Sequence, residues 1–179
     1  METIAIYREE VIKTYGFVER TGLFMVTLDL PSDRLTYWGD DLFTLISRLG
    51  LSLVLQIARP AAAGTLRLHL LLDETPAGPG GMDWHQVLLD EYPGGWQMDQ
   101  AVDLVYFQGP HYGDRYGIAY EALKALDTCG LPILAMACLG ASVYLILPEG
   151  KAGPAREALK QAFMIPDRGA ETGRPGSIR

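Results

Sequence analysis

The stretch Val102-Asp-Leu-Val-Tyr-Phe-Gln-Gly-Pro110, continuing as His111-Tyr-Gly-Asp-Arg-Tyr-Gly-Ile-Ala119, decides the fold. Its first half is apolar and β-rich, and it ends at a Gly-Pro pair that a strand does not run through. Its second half leads into Ile118, Ala122, Ala125, Leu126 and Cys129, which fall at helical spacing. Gly130 follows, where a helix takes a left-handed C-cap. Leu131 to Cys138 and Ala141 to Leu147 then read as a hairpin turning at Leu139-Gly140. Gly150, Gly153 and Pro154 break the chain before a helix over Ala155 to Phe163, with Ala155, Ala158, Leu159, Ala162 and Phe163 on one face. The order is strand, helix, strand, strand, helix.

Working outward, the same order occurs upstream. Gly22 to Leu30 reads as a strand ending at Pro31, followed by a loop over Pro31 to Asp41, a helix over Asp40 to Leu49, and Gly50. Strands over Leu51 to Ala58 and Thr65 to Asp73 come next, then a loop over Thr75 to Gly81, a helix over Met82 to Tyr92, and a short closing strand over Gly95 to Met98. Pro31 and Pro110, and likewise Gly50 and Gly130, are separated by roughly 80 residues, as two copies of one supersecondary unit would be. The expected class is α+β: two ferredoxin-like βαββαβ units in tandem, each an antiparallel sheet with helices on one face. The second copy lacks a closing strand of its own. Thr3 to Val11 is expected to supply it, with a helical turn over Arg8 to Ile12 as the other reading. The domain boundaries are therefore 16–99 for the first unit, 1–15 plus 100–165 for the second, and 166–179 as a polar, disordered tail. The expected core holds Phe24, Val26, Leu28, Leu45, Leu53, Leu55, Leu68, Leu70, Leu104, Tyr106, Ile118, Leu126, Ile133, Val143, Leu145 and Phe163.

Charge and composition exclude several function classes. The net charge is −7, with 22 acidic and 15 basic side chains and no basic cluster, which disfavours nucleic-acid binding. The longest apolar runs fall short of the roughly 20 residues a spanning helix needs, and no basic-then-apolar leader opens the chain. No membrane association and a cytoplasmic location are expected. Cys129 and Cys138 read as buried thiols in a reducing compartment. His69, His85 and His111 stand at no metal spacing, so neither metal nor cofactor is expected. Ser142 lacks the Gly-x-Ser-x-Gly setting of a nucleophile, and no other catalytic constellation is visible, so the chain reads as a non-enzyme.

The chemistry concentrates in Gly109 to Gly117. Glycines there free backbone N–H groups to face a ligand, and the following helix adds uncapped donors and positive dipole charge, a setting suited to a carboxylate. Asp114 either pairs with a ligand's ammonium group or caps the helix. In the first copy, Asp33, Asp40 and Asp41 form an acidic cluster matching no calcium loop, which reads as capping and solvation. Tyr37 and Trp38 beside them read as loop aromatics packed over the sheet edge.

The segment from Val102 to Ala119, with Glu121 to Leu126, Cys129-Gly-Leu-Pro-Ile133, Gly140-Ala-Ser-Val-Tyr-Leu-Ile146 and Ala158 to Phe163, resembles the last ACT domain of aspartate kinases. The likeness is strongest over residues 100–163 and weaker in the first copy. It implies a tandem ACT regulatory region in which the first unit is inserted into the second, so that a preceding strand completes the second sheet. It also implies allosteric binding of a small molecule, an amino acid, at Gly113, Asp114, Arg115, Tyr116, Gly117, Ile118, Ile133, Leu134, Ala135 and Ser142, with Asp33 and Asp40 in the first unit. The partners it implies are a second copy in a homodimer and an amino-acid biosynthetic enzyme. The chain departs from the family in having no amino-kinase domain, in carrying Tyr116-Gly117 for the family's Pro-Gly, and in losing that pair from the first unit. The alternatives are a separate regulatory subunit and an interaction module that has lost its ligand.

Overall fold

A computed structural model describes residues 11–74 and 96–166. The described elements are β1 (Ile12–Lys13), β2 (Phe17–Pro31), a 3₁₀ turn (Ser32–Arg34), α1 (Leu35–Arg48), β3 (Leu51–Pro60), β4 (Thr65–Glu74) and β5 (Trp96–Gln108). They continue with α2 (Ile118–Thr128), β6 (Ala135–Leu139), β7 (Ser142–Pro148), α3 (Ala152–Ala162) and β8 (Phe163–Met164). They fall into two compact ferredoxin-like units. The first comprises 20–74, 96–104 and 148–150, and the second 11–19, 105–147 and 151–166.

In the first unit the strand neighbours run β3-β4-β2-β5, the order a βαββαβ unit produces. β2 and β3 each pair antiparallel with β4. Leucine and valine alternate along β2 and β4, so Val26, Leu28 and Leu30 lie on the same face as Leu68, Leu70 and Leu72. α1 closes that face with Leu42, Leu45, Ile46 and Leu49, spaced to form one stripe. It ends where Gly50 turns left-handed at φ 67° and its N–H reaches the Ser47 carbonyl.

In the second unit the neighbours run β2-β5-β7-β6, and β6 pairs antiparallel with β7. Val105, Phe107, Val143, Leu145 and Leu147 from the sheet meet Ile118, Ala122 and Leu126 of α2 and Ala155, Ala158 and Leu159 of α3. Small alanines on α3 permit a close approach to α2. Phe163 completes the core as an aromatic cluster, its ring 4.8 Å from Phe107 and 6.4 Å from Tyr112. α2 ends in a Schellman motif: the Leu131 N–H bonds to the Leu126 carbonyl and the Gly130 N–H to the Asp127 carbonyl, with Gly130 at φ 64°.

Several expectations are corrected. The first-copy helix starts at Leu35 instead of Asp40, and Gly39 is carried inside it without a break. Gly95 to Met98 and Val102 onward are not two strands; β5 runs unbroken from Trp96, with Ala101 held at φ 42°. Leu131 to Leu134 is coil, and β6 begins only at Ala135. α3 begins at Ala152, so Pro154 sits within its first turn, where its missing N–H costs nothing. The second unit does own a short terminal strand, β8, which pairs parallel with β1. Leu53, opposite Leu72, is 41% exposed, whereas Leu55, past a register slip and opposite Leu71, is buried. Tyr106 is half-buried on the helix-free face, stacked on Tyr144 with ring centroids 5.6 Å apart. Cys129 and Cys138 are exposed thiols, one at the end of α2 and one on edge strand β6. The strand expected over Thr3 to Val11 falls, up to residue 10, outside the described residues, as do the helix over Met82 to Tyr92, the loop over Thr75 to Gly81, His85 and the tail beyond Pro166.

Candidate functional site

The Gly109–Gly117 loop joins β5 to α2 and is built around two buried residues. Gly109 leaves no room for a side chain, since a Cβ there would fall inside contact distance of both the Lys13 carbonyl and the Tyr112 ring. Its N–H lies 3.4 Å from the Ala141 carbonyl, tying the loop to the β6–β7 hairpin. Tyr112 fills the space beneath, packed edge-on to Phe107. Its hydroxyl is buried beside Thr14, and burial pushes its pKa up.

The rest of the loop faces outward. Gly113 lies beside the Gly140 carbonyl, Asp114 is exposed with its N–H bonded to the His111 carbonyl, and Arg115 reaches back to the Val11 carbonyl at 3.4 Å. Tyr116 is 99% exposed. Gly117, at φ 90°, is the N-cap of α2 and, being glycine, has no side chain with which to cap the helix. The expected capping role of Asp114 is thus not seen, because the helix begins four residues beyond it. The first amides of α2 remain open to a ligand.

The structure groups only some of the expected site residues. Gly113 to Gly117 stand at the N-terminal end of α2, near the hairpin turn that Ser142 follows. Ile118 points into the core. Ile133, Leu134 and Ala135 lie at the other end of β6, beyond the C-terminal end of α2, with the Leu134 N–H on the Ile146 carbonyl at 2.8 Å. At strand rise, the length of β6 puts them on the order of 13 Å from the hairpin turn. There Ile133 and Leu131 line a separate open cleft of about 510 Å³ with Tyr120, Leu123, Lys124 and Asp127 of α2. In the first unit, Asp33 lies in the 3₁₀ turn and Asp40 on an exposed turn of α1. Tyr37 and Trp38 are helical, not loop, residues. Trp38 packs against the first unit's core and Tyr37 is exposed, their rings 6.0 Å apart. Among the described residues no group of three or more His, Cys, Asp and Glu side chains converges to hold a metal. No described helix is long and apolar enough to cross a membrane.

One feature escaped sequence reading. Arg59, Arg67 and Asp29, from three strands, line an open cleft of about 660 Å³ at one end of the first unit's sheet. Register alone brings them together, and no spacing within the chain signals it.

No protein-family model matches the chain, and neither does any curated protein. Solved structures do match. The regulatory subunit of aspartate kinase from Thermus thermophilus, in its ligand-free form, is 16% identical with a TM-score of 0.65, covering 83% of this chain and 97% of its own. That of Thermus flavus is 16% identical with a TM-score of 0.67, covering 84% and 98%. Aspartate kinase from Clostridium acetobutylicum, described as an allosteric enzyme, is 12% identical with a TM-score of 0.69, covering 89% of this chain and 36% of its own. The chain therefore shares the fold of the aspartate kinase regulatory region, from end to end of the stand-alone subunits.

Proposed function

We propose that this protein is a non-catalytic regulatory module that binds an amino acid through its ACT-like units and acts on a partner enzyme of amino-acid biosynthesis. The observation that carries the proposal is the uncapped N-terminus of α2 beneath a glycine-bearing loop, on a fold that matches free-standing regulatory subunits over nearly their whole length. The amides after Gly117 would take the ligand's carboxylate, and Asp114 its ammonium group. Arg115, Tyr116, Gly113 and Ser142 would frame it. The grouping of residues 11–19 with the second unit supports an arrangement in which the first unit is inserted into the second. Pairing of two copies at sheet edges would cover the unpaired N–H and C=O groups there.

Thermal melting against each of the twenty amino acids tests the reading, since a ligand at 100 times its dissociation constant stabilises by about 2.7 kcal/mol. A shift with one amino acid, lost in Asp114→Ala, is the expected outcome. No shift with any of the twenty would sink it. A second reading, an interaction module without a ligand, draws on the first unit. There the expected loop is wound into α1, and Asp40 sits on the helix surface instead of facing a pocket.

A further inference from the structure

The face of the first unit's sheet opposite α1 carries an unusual charge row. Arg59 stands directly opposite Arg67 across the β3–β4 ladder, and Arg67 directly opposite Asp29 across the β4–β2 ladder. Leu28, Leu30 and Leu68, chain neighbours of Asp29 and Arg67, are buried on the α1 side, so alternation sends Asp29 and Arg67 to the other face, and Arg59, opposite Arg67, shares it. Two like charges facing each other across a ladder are destabilising unless something neutralises them. Asp29 is hydrogen-bonded to Arg67. Its two oxygens accept from Arg67 Nε at 2.7 Å and Nη2 at 2.6 Å, a bidentate pair that uses the carboxylate's planar face. Arg59 acts on Asp29 through space, its charge adding to Arg67's in holding that carboxyl below the usual range. The row therefore carries two positive charges against one negative, with the Arg59 guanidinium outside the bidentate pair.

That guanidinium opens onto the cleft of about 660 Å³, a volume in the range of small-molecule sites. Its walls are held by backbone bonds: Ser32 N–H to the Gly64 carbonyl at 2.9 Å, Ala61 N–H to Thr65 at 3.0 Å and Thr65 N–H to Ala62 at 2.9 Å. Thr65 adds a hydroxyl beside the arginines, and Pro31 and Ala62 give apolar walls for a short aliphatic body. We infer that this cleft is a second small-molecule site, taking the carboxylate or phosphate group of a compact anion on Arg59, with the Arg67–Asp29 pair as its neutral floor. Arginine suits such a group because its rigid fork matches a planar or tetrahedral oxyanion. The site lies on different elements from the α2 loop and does not depend on it.

The test is titration of the intact chain with inorganic phosphate and with succinate at constant ionic strength, followed by calorimetry and by amide shifts around Thr65. Saturable binding of one of them identifies the group as phosphate or carboxylate. Arg59→Gln should weaken it at least tenfold, and Arg59→Lys less. Asp114→Ala should leave it unchanged. Asp29→Asn, which frees Arg67 to join, should tighten it severalfold. The inference is overturned if neither probe saturates at tens of millimolar, if Arg59→Gln binds as the parent does, or if Asp29→Asn fails to tighten binding.

Discussion

The hydroxyl of Thr14 donates to the carbonyl of Gln108 at 2.8 Å, and the N–H of Tyr15 donates to the same oxygen at 2.9 Å. Thr14 is fully buried, and its own N–H bonds to the Met164 carbonyl at 2.8 Å. One residue thus ties the N-terminal segment both to β5 and to β8.

Thr14→Val keeps the shape and removes the donor. The Gln108 carbonyl retains its bond from Tyr15, so the expected loss is about 1–2 kcal/mol of stability. Chemical denaturation with an unchanged m-value would show it. Parental stability in the variant would mean that the hydroxyl contributes nothing.

Gly109→Ala should cost more than a loop glycine usually does. The added methyl meets a backbone carbonyl, that of Lys13, which has no flexible end to move aside. Overpacking of this kind costs about 1–3 kcal/mol, and amide exchange around Lys13 and Tyr112 should rise with it. Gly117→Ala is strained by its positive φ but meets no neighbour, so the exchange change there should stay local.

Leu53 and Leu55, two residues apart on β3, should respond unequally to truncation. Leu55→Ala, at a buried site, should lose about 2–4 kcal/mol, whereas Leu53→Ala, 41% exposed, should fall within about 0.5 kcal/mol of the parent. Equal losses would contradict the difference in burial between them.

Acid should weaken the first unit in part through Asp29. The hydrogen bond from Arg67 holds its carboxyl below the usual range, so its folded pKa is lower than its unfolded one. That contribution is present above about pH 4 and is lost as pH falls through the lower folded value. Both side chains are over a third exposed, at 36% and 40%, so solvent keeps the contribution under about 1 kcal/mol. Asp29→Asn should flatten this part of the stability curve between pH 5 and pH 2. Tyr112 acts with the opposite sign. Burial raises its pKa, so its contribution is complete below about pH 10 and fades as pH rises through the higher folded value.

Element type and order were legible wherever local chemistry is strong. Gly130 and Leu131 announce the end of α2 because only a left-handed residue closes a Schellman motif, and the Val143-Leu145-Leu147 alternation marks a strand that covers a core. Boundaries failed where tertiary packing overrode a local signal. Gly39 is a poor helix former, yet Trp38 and Leu42 bury against the same core and carry the helix through it. The candidate loop was legible as glycines before a helix.

By itself, then, the sequence determined two ferredoxin-like copies, the strand and helix faces, and a loop with free amides, because each follows from periodicity and turn chemistry within short windows. Only the tertiary structure decided that Ile133 to Ala135 lie apart from Asp114, that Leu53 and Leu55 fall on either side of a register slip, and that Arg59, Arg67 and Asp29 form one row. Those are matters of register. A slip of one residue reverses every side chain on a strand, and register is set by the sum of long-range packing, which no single segment records.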